Sequence, residues 1–322
     1  MENVLIVDKD YEGLINENDR YVYEGSITFD FSINFSLDKC LYVEGTIKAG
    51  GWIEANESIE VSESIQSGGS IEGCRSIKSG DSIEAGGWIS SSKWIEADRS
   101  INSGGSIEVD GYIKTGGSIK SDRYIKVDGS IEAGRWISSG EWIESSGSIK
   151  AKGSIKADRY IKAGGSIESN GSIKAGGWIN SSERIKVGRW IEAGGSIEAG
   201  GSIEASEWIE AGEWIESGGW INSDKWIKAG EWIEAGSCIE ASKWIESFNH
   251  KGSALIFISG LKYNIHRWGS MLKIGCQKHT IENWRSFNDE RIKEMDNGAL
   301  EWWSKHKSWL LNLLPDEKEI KD

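Results

Sequence analysis

The sequence predicts a mainly β chain wound as a β-solenoid of hexapeptide repeats, and three observations carry that prediction. Every sixth residue from Ile47 to Ile245 is isoleucine, thirty-four times without exception. Within each unit the isoleucine and the small residue two places later alternate with outward Trp/Ser/Tyr and Glu/Lys positions, as in Trp208-Ile209-Glu210-Ala211-Gly212-Glu213. That period of two marks a short strand with one dry and one wet face. The remaining two positions are mostly Gly, Asp, Asn, Ser or a charge. Such residues accept positive φ or bond their own backbone, so they read as corners. A fixed short period means one small unit stacked on copies of itself. A helix is excluded, because a period of six does not hold isoleucine on one face of a 3.6-residue turn and each interior glycine costs ~1 kcal/mol.

The number of sides follows from the aromatic positions. With three units per coil, the position before isoleucine in one column reads Trp52, Ser70, Trp88, Ser106, Tyr124, Trp142, Tyr160, Trp178, Ser196, Trp214 and Trp232, eight of eleven aromatic. The other two columns hold five of twelve and three of eleven. A four-unit coil also yields one enriched column, six of eight, so three sides and about eleven coils is the preferred arrangement. Eleven strand spacings amount to roughly 50 Å of cylinder.

Taken in order, residues 1–42 carry β-prone runs (Val4–Val7, 21–23 and 27–35) without glycine corners, and Phe29, Phe35 and Leu41 lie on the six-residue phase. They are expected to form an N-terminal β cap grading into the first coil, because an open solenoid end is an unpaired sheet edge. Residues 43–247 form the solenoid. Residues 248–322 change composition and are expected to form a small C-terminal α+β domain. Its strands are predicted at Ala254–Ile258, 263–266 and Met271–Ile274. Helices are expected after Thr280, at 290–295 behind Asn288 or Asp289, and at 299–314 before Pro315. Trp302, Trp303, Leu310, Leu311 and Leu314 give the last helix an apolar face.

The chain carries a formal charge of −14, unevenly spread. Residues 43–111 hold 12 acidic and 5 basic side chains, 112–189 hold 8 and 14, and 190–247 hold 12 and 3. A cylinder with negative ends and a positive waist would steer a charged partner. The waist candidates are Arg123, Lys126, Arg135, Lys156, Arg159, Lys162, Lys186 and Arg189. At the acidic C-terminal coils, Trp208, Trp214, Trp220, Trp226 and Trp232 fall in five consecutive units among Glu198, Glu204, Glu207, Glu210, Glu213 and Glu216. A collar of that size exceeds the apolar patches a soluble monomer normally leaves bare, and tryptophan is enriched at interface hot spots. It reads as a contact surface; the alternative is indoles lying flat over isoleucine stems.

Catalytic patterns are scarce. Residues 47–247 contain no histidine, and the abundant glycines are not arranged as a phosphate-binding loop. Cys276-x-x-His279 has ligand-like spacing, but two ligands do not make a zinc site, so a packed Cys and an exposed His are expected. Neither catalytic residues, a metal nor a cofactor is predicted, and the chain is not read as an enzyme. Four scattered cysteines (Cys40, Cys74, Cys238, Cys276), no visible secretory signal and no apolar run of membrane-spanning length point to a cytoplasmic protein.

The phrase Ile191-Glu-Ala-Gly-Gly-Ser-Ile-Glu-Ala-Gly-Gly201 resembles the glycine-punctuated β-helix repeats of a bacterial flagellar-assembly family of polymer-like proteins and, more distantly, the bactofilins. Those resemblances imply a fold over about residues 43–247. Hexapeptide-repeat acyltransferases, by contrast, place the small residue two before the aliphatic one and use an imidazole base that is missing here. The tail Ile274-Gly-Cys-Gln-Lys-His-Thr-Ile-Glu-Asn-Trp284, with Met295-Asp and Ala299-Leu-Glu-Trp-Trp, resembles C-terminal modules of uncharacterised bacterial and phage proteins. In shape and charge the chain is similar to pentapeptide-repeat DNA mimics and to phage inhibitors of CRISPR effectors.

Three functions therefore stand as expectations. The favoured one is an acidic, Trp-rich decoy or inhibitor, of the phage-encoded anti-CRISPR or anti-defence type, occupying the basic nucleic-acid groove of an effector or nuclease. The second is a self-assembling scaffold, in which negative ends dock on positive waists of other copies. Direct RNA or DNA binding through the waist, with Tyr124 and Tyr160, is disfavoured by the net charge.

Overall fold

The computed structural model describes residues 4–311, apart from residues 74, 237–238, 243, 249–253, 259–261, 264 and 269–270. The chain is a three-sided parallel β-solenoid of about twelve turns. Each repeat isoleucine stacks on the isoleucine eighteen residues away, as in Ile131↔Ile149↔Ile167. Sheet A runs from Val4–Val7 to Ile233–Ala235, and sheet B from Leu14–Asn16 to Ile239–Ala241. Sheet C starts at Ile27–Phe29 and continues through Trp244–Phe248 into the C-terminal strands.

The core lies where the period-two pattern put it. The isoleucines from Ile47 to Ile227 are almost wholly buried, and so are most of the small residues two places on. Where that small residue is serine its hydroxyl bonds the corner backbone: Ser181 Oγ donates to the Gly165 carbonyl at 2.8 Å. Burying an unpaired hydroxyl would cost ~1–3 kcal/mol, so this bond lets serine and alanine alternate inside one dry column.

The corners correct one expectation. Positive-φ glycines among the described residues are Gly13, Gly25, Gly275 and Gly298, none of them in the repeat region. Glycine serves the repeat corners through close approach instead. A Cβ on Gly212 would run into the Gly194 carbonyl oxygen of the coil below.

The N-terminal segment joins the same core and stacks in register. Here Ile27↔Ile47 and Ile33↔Ile53 pair at a spacing of twenty, whereas Leu41↔Ile59 returns to eighteen. Two extra residues therefore put Phe29 and Phe35 opposite Ala49 and Ala55, in the small-residue column and not the isoleucine column expected of them. Larger side chains there fill the end of the cylinder, and Leu14–Asn16 folds antiparallel on Arg20–Tyr23.

Beyond the last coil, sheet C continues as an antiparallel meander of Ala254–Ile258, Ile265–Trp268, Met271–Ile274 and Gln277–Thr280. Helices α1 (Ile281–Ser286), α2 (Asp289–Lys293) and α3 (Ala299–Leu311) pack as a second core with Ile265, Leu272 and Ile274. Thr280, expected just before the first helix, caps it by accepting from the Asn283 amide, and of the two candidates Asn288 and Asp289 it is Asn288 that caps the second, accepting from the Arg291 amide. Trp303 and Leu310 of α3 are buried, whereas Leu314 and Pro315 lie outside the described residues, as do Cys74 and Cys238. The Cys276/His279 expectation is reversed. Cys276 is exposed, and the His279 ring packs edge-on against Trp284 and Phe287. No described helix is long and apolar enough to cross a membrane.

Register also decides charge. The outward position of sheet B alternates without a break through Glu60, Lys78, Glu96, Lys114, Glu132, Lys150, Glu168, Lys186 and Glu204. Opposite charges facing across neighbouring strands stabilise, and like charges oppose folding. Lys150→Glu would place three carboxylates side by side. It should cost about 1 kcal/mol at low ionic strength, with most of the loss of thermal stability recovered in high salt.

Candidate binding face

The outward aromatics form files along the axis, because strand spacing of ~4.8 Å matches the stacking distance of flat rings. On sheet A, Tyr124, Trp142, Tyr160 and Trp178 stack at 4.5, 5.5 and 4.4 Å between centroids, with planes within 6°. Trp214 and Trp232 continue that file at 5.1 Å. On sheet C, Trp190, Trp208 and Trp226 stack at 4.9 Å per step.

The expected collar therefore exists as a ring of five indoles on three sides, but it is not one continuous bare belt. Trp208 and Trp226 belong to sheet C, Trp214 and Trp232 to sheet A, and Trp220 to sheet B. All five are half-buried, and four of them, Trp208, Trp214, Trp226 and Trp232, stack on a neighbouring ring. Among the described side chains the most exposed solenoid tryptophans are Trp88 (54%), Trp136 (41%) and Trp178 (37%). Each has serine in place of a stacking neighbour on at least one side: Ser70 and Ser106, Ser118 and Ser154, and Ser196.

The collar glutamates divide into two groups. Glu204 is paired with Lys186 at 3.4 Å and Glu210 with Lys228 at 3.6 Å. Glu207 is held by Lys225 at 3.2 Å and Arg189 at 3.3 Å. The Lys225 hydrogen bond, then the one from Arg189, keeps the Glu207 carboxyl below the usual carboxylate range, although burial opposes this. The second group lies on sheet A. Glu198↔Glu216↔Glu234 stand opposite one another on successive strands, with Glu213 at the corner before Trp214. None of these four has a cationic partner among the described residues, and Glu198 accepts only the Asn180 amide at 2.7 Å. Like charges in register oppose folding, so this file is a cost the fold bears without an internal partner.

The contrast with Glu207 can be measured. Its clamp contributes to stability fully above the ordinary glutamate pKa, ~4.3, and is lost only as pH falls through the lower value of the folded state. The side-chain carboxyl resonance of Glu207 should titrate at more acidic pH than free glutamate. Replacing both Arg189 and Lys225 by alanine should bring it back; an unchanged midpoint in that variant would dismiss the clamp.

The basic waist is largely neutralised from within. Arg123 pairs with Glu141 (3.3 Å), Lys126 with Glu108 (3.2 Å), Lys156 with Asp158 (3.6 Å) and Lys162 with Glu144 (2.9 Å). Lys186 and Arg189 hold Glu204 and Glu207, as above. Arg135 and Arg159 alone of the eight lack an ion pair among the described residues. They also lie on different sides, Arg135 before a sheet C strand and Arg159 before a sheet A strand.

Two features escaped the sequence reading. Glu234 completes the sheet A file and could have been found by reading every eighteenth residue from Glu198. The second is a cavity of about 170 Å³ in the C-terminal domain, walled by Tyr263, Trp284, Met295, Trp302 and Trp303. Its walls come from both the strands and the helices, so no local pattern announced it. Compared with protein-family models, curated proteins and solved structures, the chain matches none.

Proposed function

We propose that this protein is a non-enzymatic binding protein, an acidic and tryptophan-rich decoy whose sheet A face occupies the basic nucleic-acid-binding surface of a partner protein, an effector or a nuclease. The observation that carries this reading is the in-register file Glu198, Glu216 and Glu234, unpaired by any described cation beside the stacked Trp214 and Trp232. A file of carboxylates that opposes folding and is left without internal partners is complementary to a cationic surface. Carboxylates ~4.8 Å apart are sparser than duplex phosphates, one charge per ~1.7 Å of axis. The indoles therefore have to supply much of the affinity.

The internal ion pairs of the waist weaken the two other readings. They leave few free cations to receive the acidic ends of other copies in a scaffold, or to hold a phosphate backbone. The test is affinity capture from cell lysate, with duplex DNA and then salt as competitors. The decoy reading expects a captured nucleic-acid-binding protein that either competitor releases. Capture indifferent to both, or recovery only of further copies of this chain, would contradict it.

A further inference from the structure

The sheet A aromatic file lacks one ring where it borders the unpaired carboxylates. Ser196 occupies the place between Trp178 and Trp214, and the gap is a cavity of about 330 Å³ lined by Lys162, Trp178, Asn180, Ser196, Glu198 and Trp214. Two strand steps separate the flanking indoles, ~9–10 Å along the axis. The filled places of the same file show that one flat ring per step stacks on both neighbours, as Trp142 does on Tyr124 and Tyr160. Along the axis the gap thus has room for one planar group between the two indoles, and it borders the exposed Trp178.

We infer that this slot receives the guanidinium of an arginine from the protein partner, sandwiched between Trp178 and Trp214 and bonded to Glu198. This rests on the reading of sheet A as a protein-contact face. Charge selects the occupant. Glu198 lines the slot, with one oxygen taken by Asn180 and the other without a partner among the described residues. Glu213 and Glu216 stand beside Trp214 without cations. Carboxylates there would repel a nucleotide's phosphate and attract a cation. The slot shape then favours a flat cation over a round one: guanidinium is planar, stacks on aromatic faces and forks to carboxylates, whereas an ammonium does not. Lys162, the cation that lines the slot, is engaged with Glu144 at 2.9 Å on the far side of Trp178.

The test is a titration of the 322-residue chain, followed by the indole N–H resonances, with blocked Gly-Arg-Gly and blocked Gly-Lys-Gly peptides. The arginine peptide should shift the Trp178 and Trp214 signals, with the lysine peptide at least fivefold weaker. Ser196→Trp should abolish the shift and keep the thermal stability of the wild type, because aromatic residues already fill this place in eight of eleven coils of the sheet. Glu198→Gln should weaken binding several-fold without closing the slot. An unchanged response in Ser196→Trp, equal binding of the lysine peptide, or a response to a blocked tryptophan or a nucleoside in place of arginine would overturn the inference. Partner capture distinguishes the two levels. If the peptide fails while capture still depends on Glu213 and Glu216, the slot is refuted and the face stands; if both fail, the face falls too.

Discussion

Ile149→Asp should abolish cooperative folding of the middle coils. Ile149 is fully buried in sheet B and stacks between Ile131 and Ile167. Even the milder Ile149→Ala removes a branched side chain from a closed column and should cost ~2–5 kcal/mol. The aspartate adds a carboxylate with no cation in reach, which must either protonate or draw in water. In a stack where each coil touches only its neighbours, the damage is local in origin but severs the column. Thermal unfolding followed by circular dichroism should show Ile149→Ala melting lower in one transition. Ile149→Asp should melt in two, or be recovered unfolded. A wild-type melt for Ile149→Asp would mean that the isoleucines are not the spine.

Reversing Glu198, Glu213 and Glu216 to lysine should lower partner capture more than tenfold while leaving the fold intact. These side chains face outward and hold no described cation; after reversal positions 198 and 216 still face each other with like charge, whereas position 216 faces the unreplaced Glu234 with opposite charge, so stability should change by less than about 1 kcal/mol. At an interface the reversed charges meet a surface of their own sign, which costs several kcal/mol. Reversal of Glu204 and Glu210 is the control, because Lys186 and Lys228 already occupy them. It should disturb stability more and capture less. Retained capture in the triple variant would remove the acidic face from the account.

Much of the architecture is legible because it needs only a period. Isoleucine every sixth residue gives the buried column, and the crowded aromatic column Trp52 to Trp232 gives the three sides. Both follow from spacing within one chain direction. The N-terminal phase could not be read in the same way. Nothing local to Phe35 reveals that two residues are inserted before Leu41, and only pairing partners show which column a residue joins. In the tail, Met271–Ile274 is apolar enough to stand out. Gln277–Thr280 is polar and becomes a strand because it closes the meander.

The site was legible in composition and obscured in arrangement. Net charge by segment suggested acidic ends and a basic waist, but the sum over a segment mixes three columns. The alternating file of sheet B cancels within itself, and the waist arginines and lysines mostly answer glutamates one coil away. The informative sum runs along a column. Read so, Glu198, Glu216 and Glu234 stand apart, and Ser196 appears as a gap between tryptophans.

The most direct test of the account is site-specific photo-crosslinking of the captured complex. A photoreactive phenylalanine analogue would replace Trp214 on sheet A, Glu132 on sheet B or Arg135 beside sheet C, one position at a time. The account predicts a covalent adduct with the partner from position 214, and none from 132 or 135. An adduct from 132 or 135 with none from 214 would contradict it.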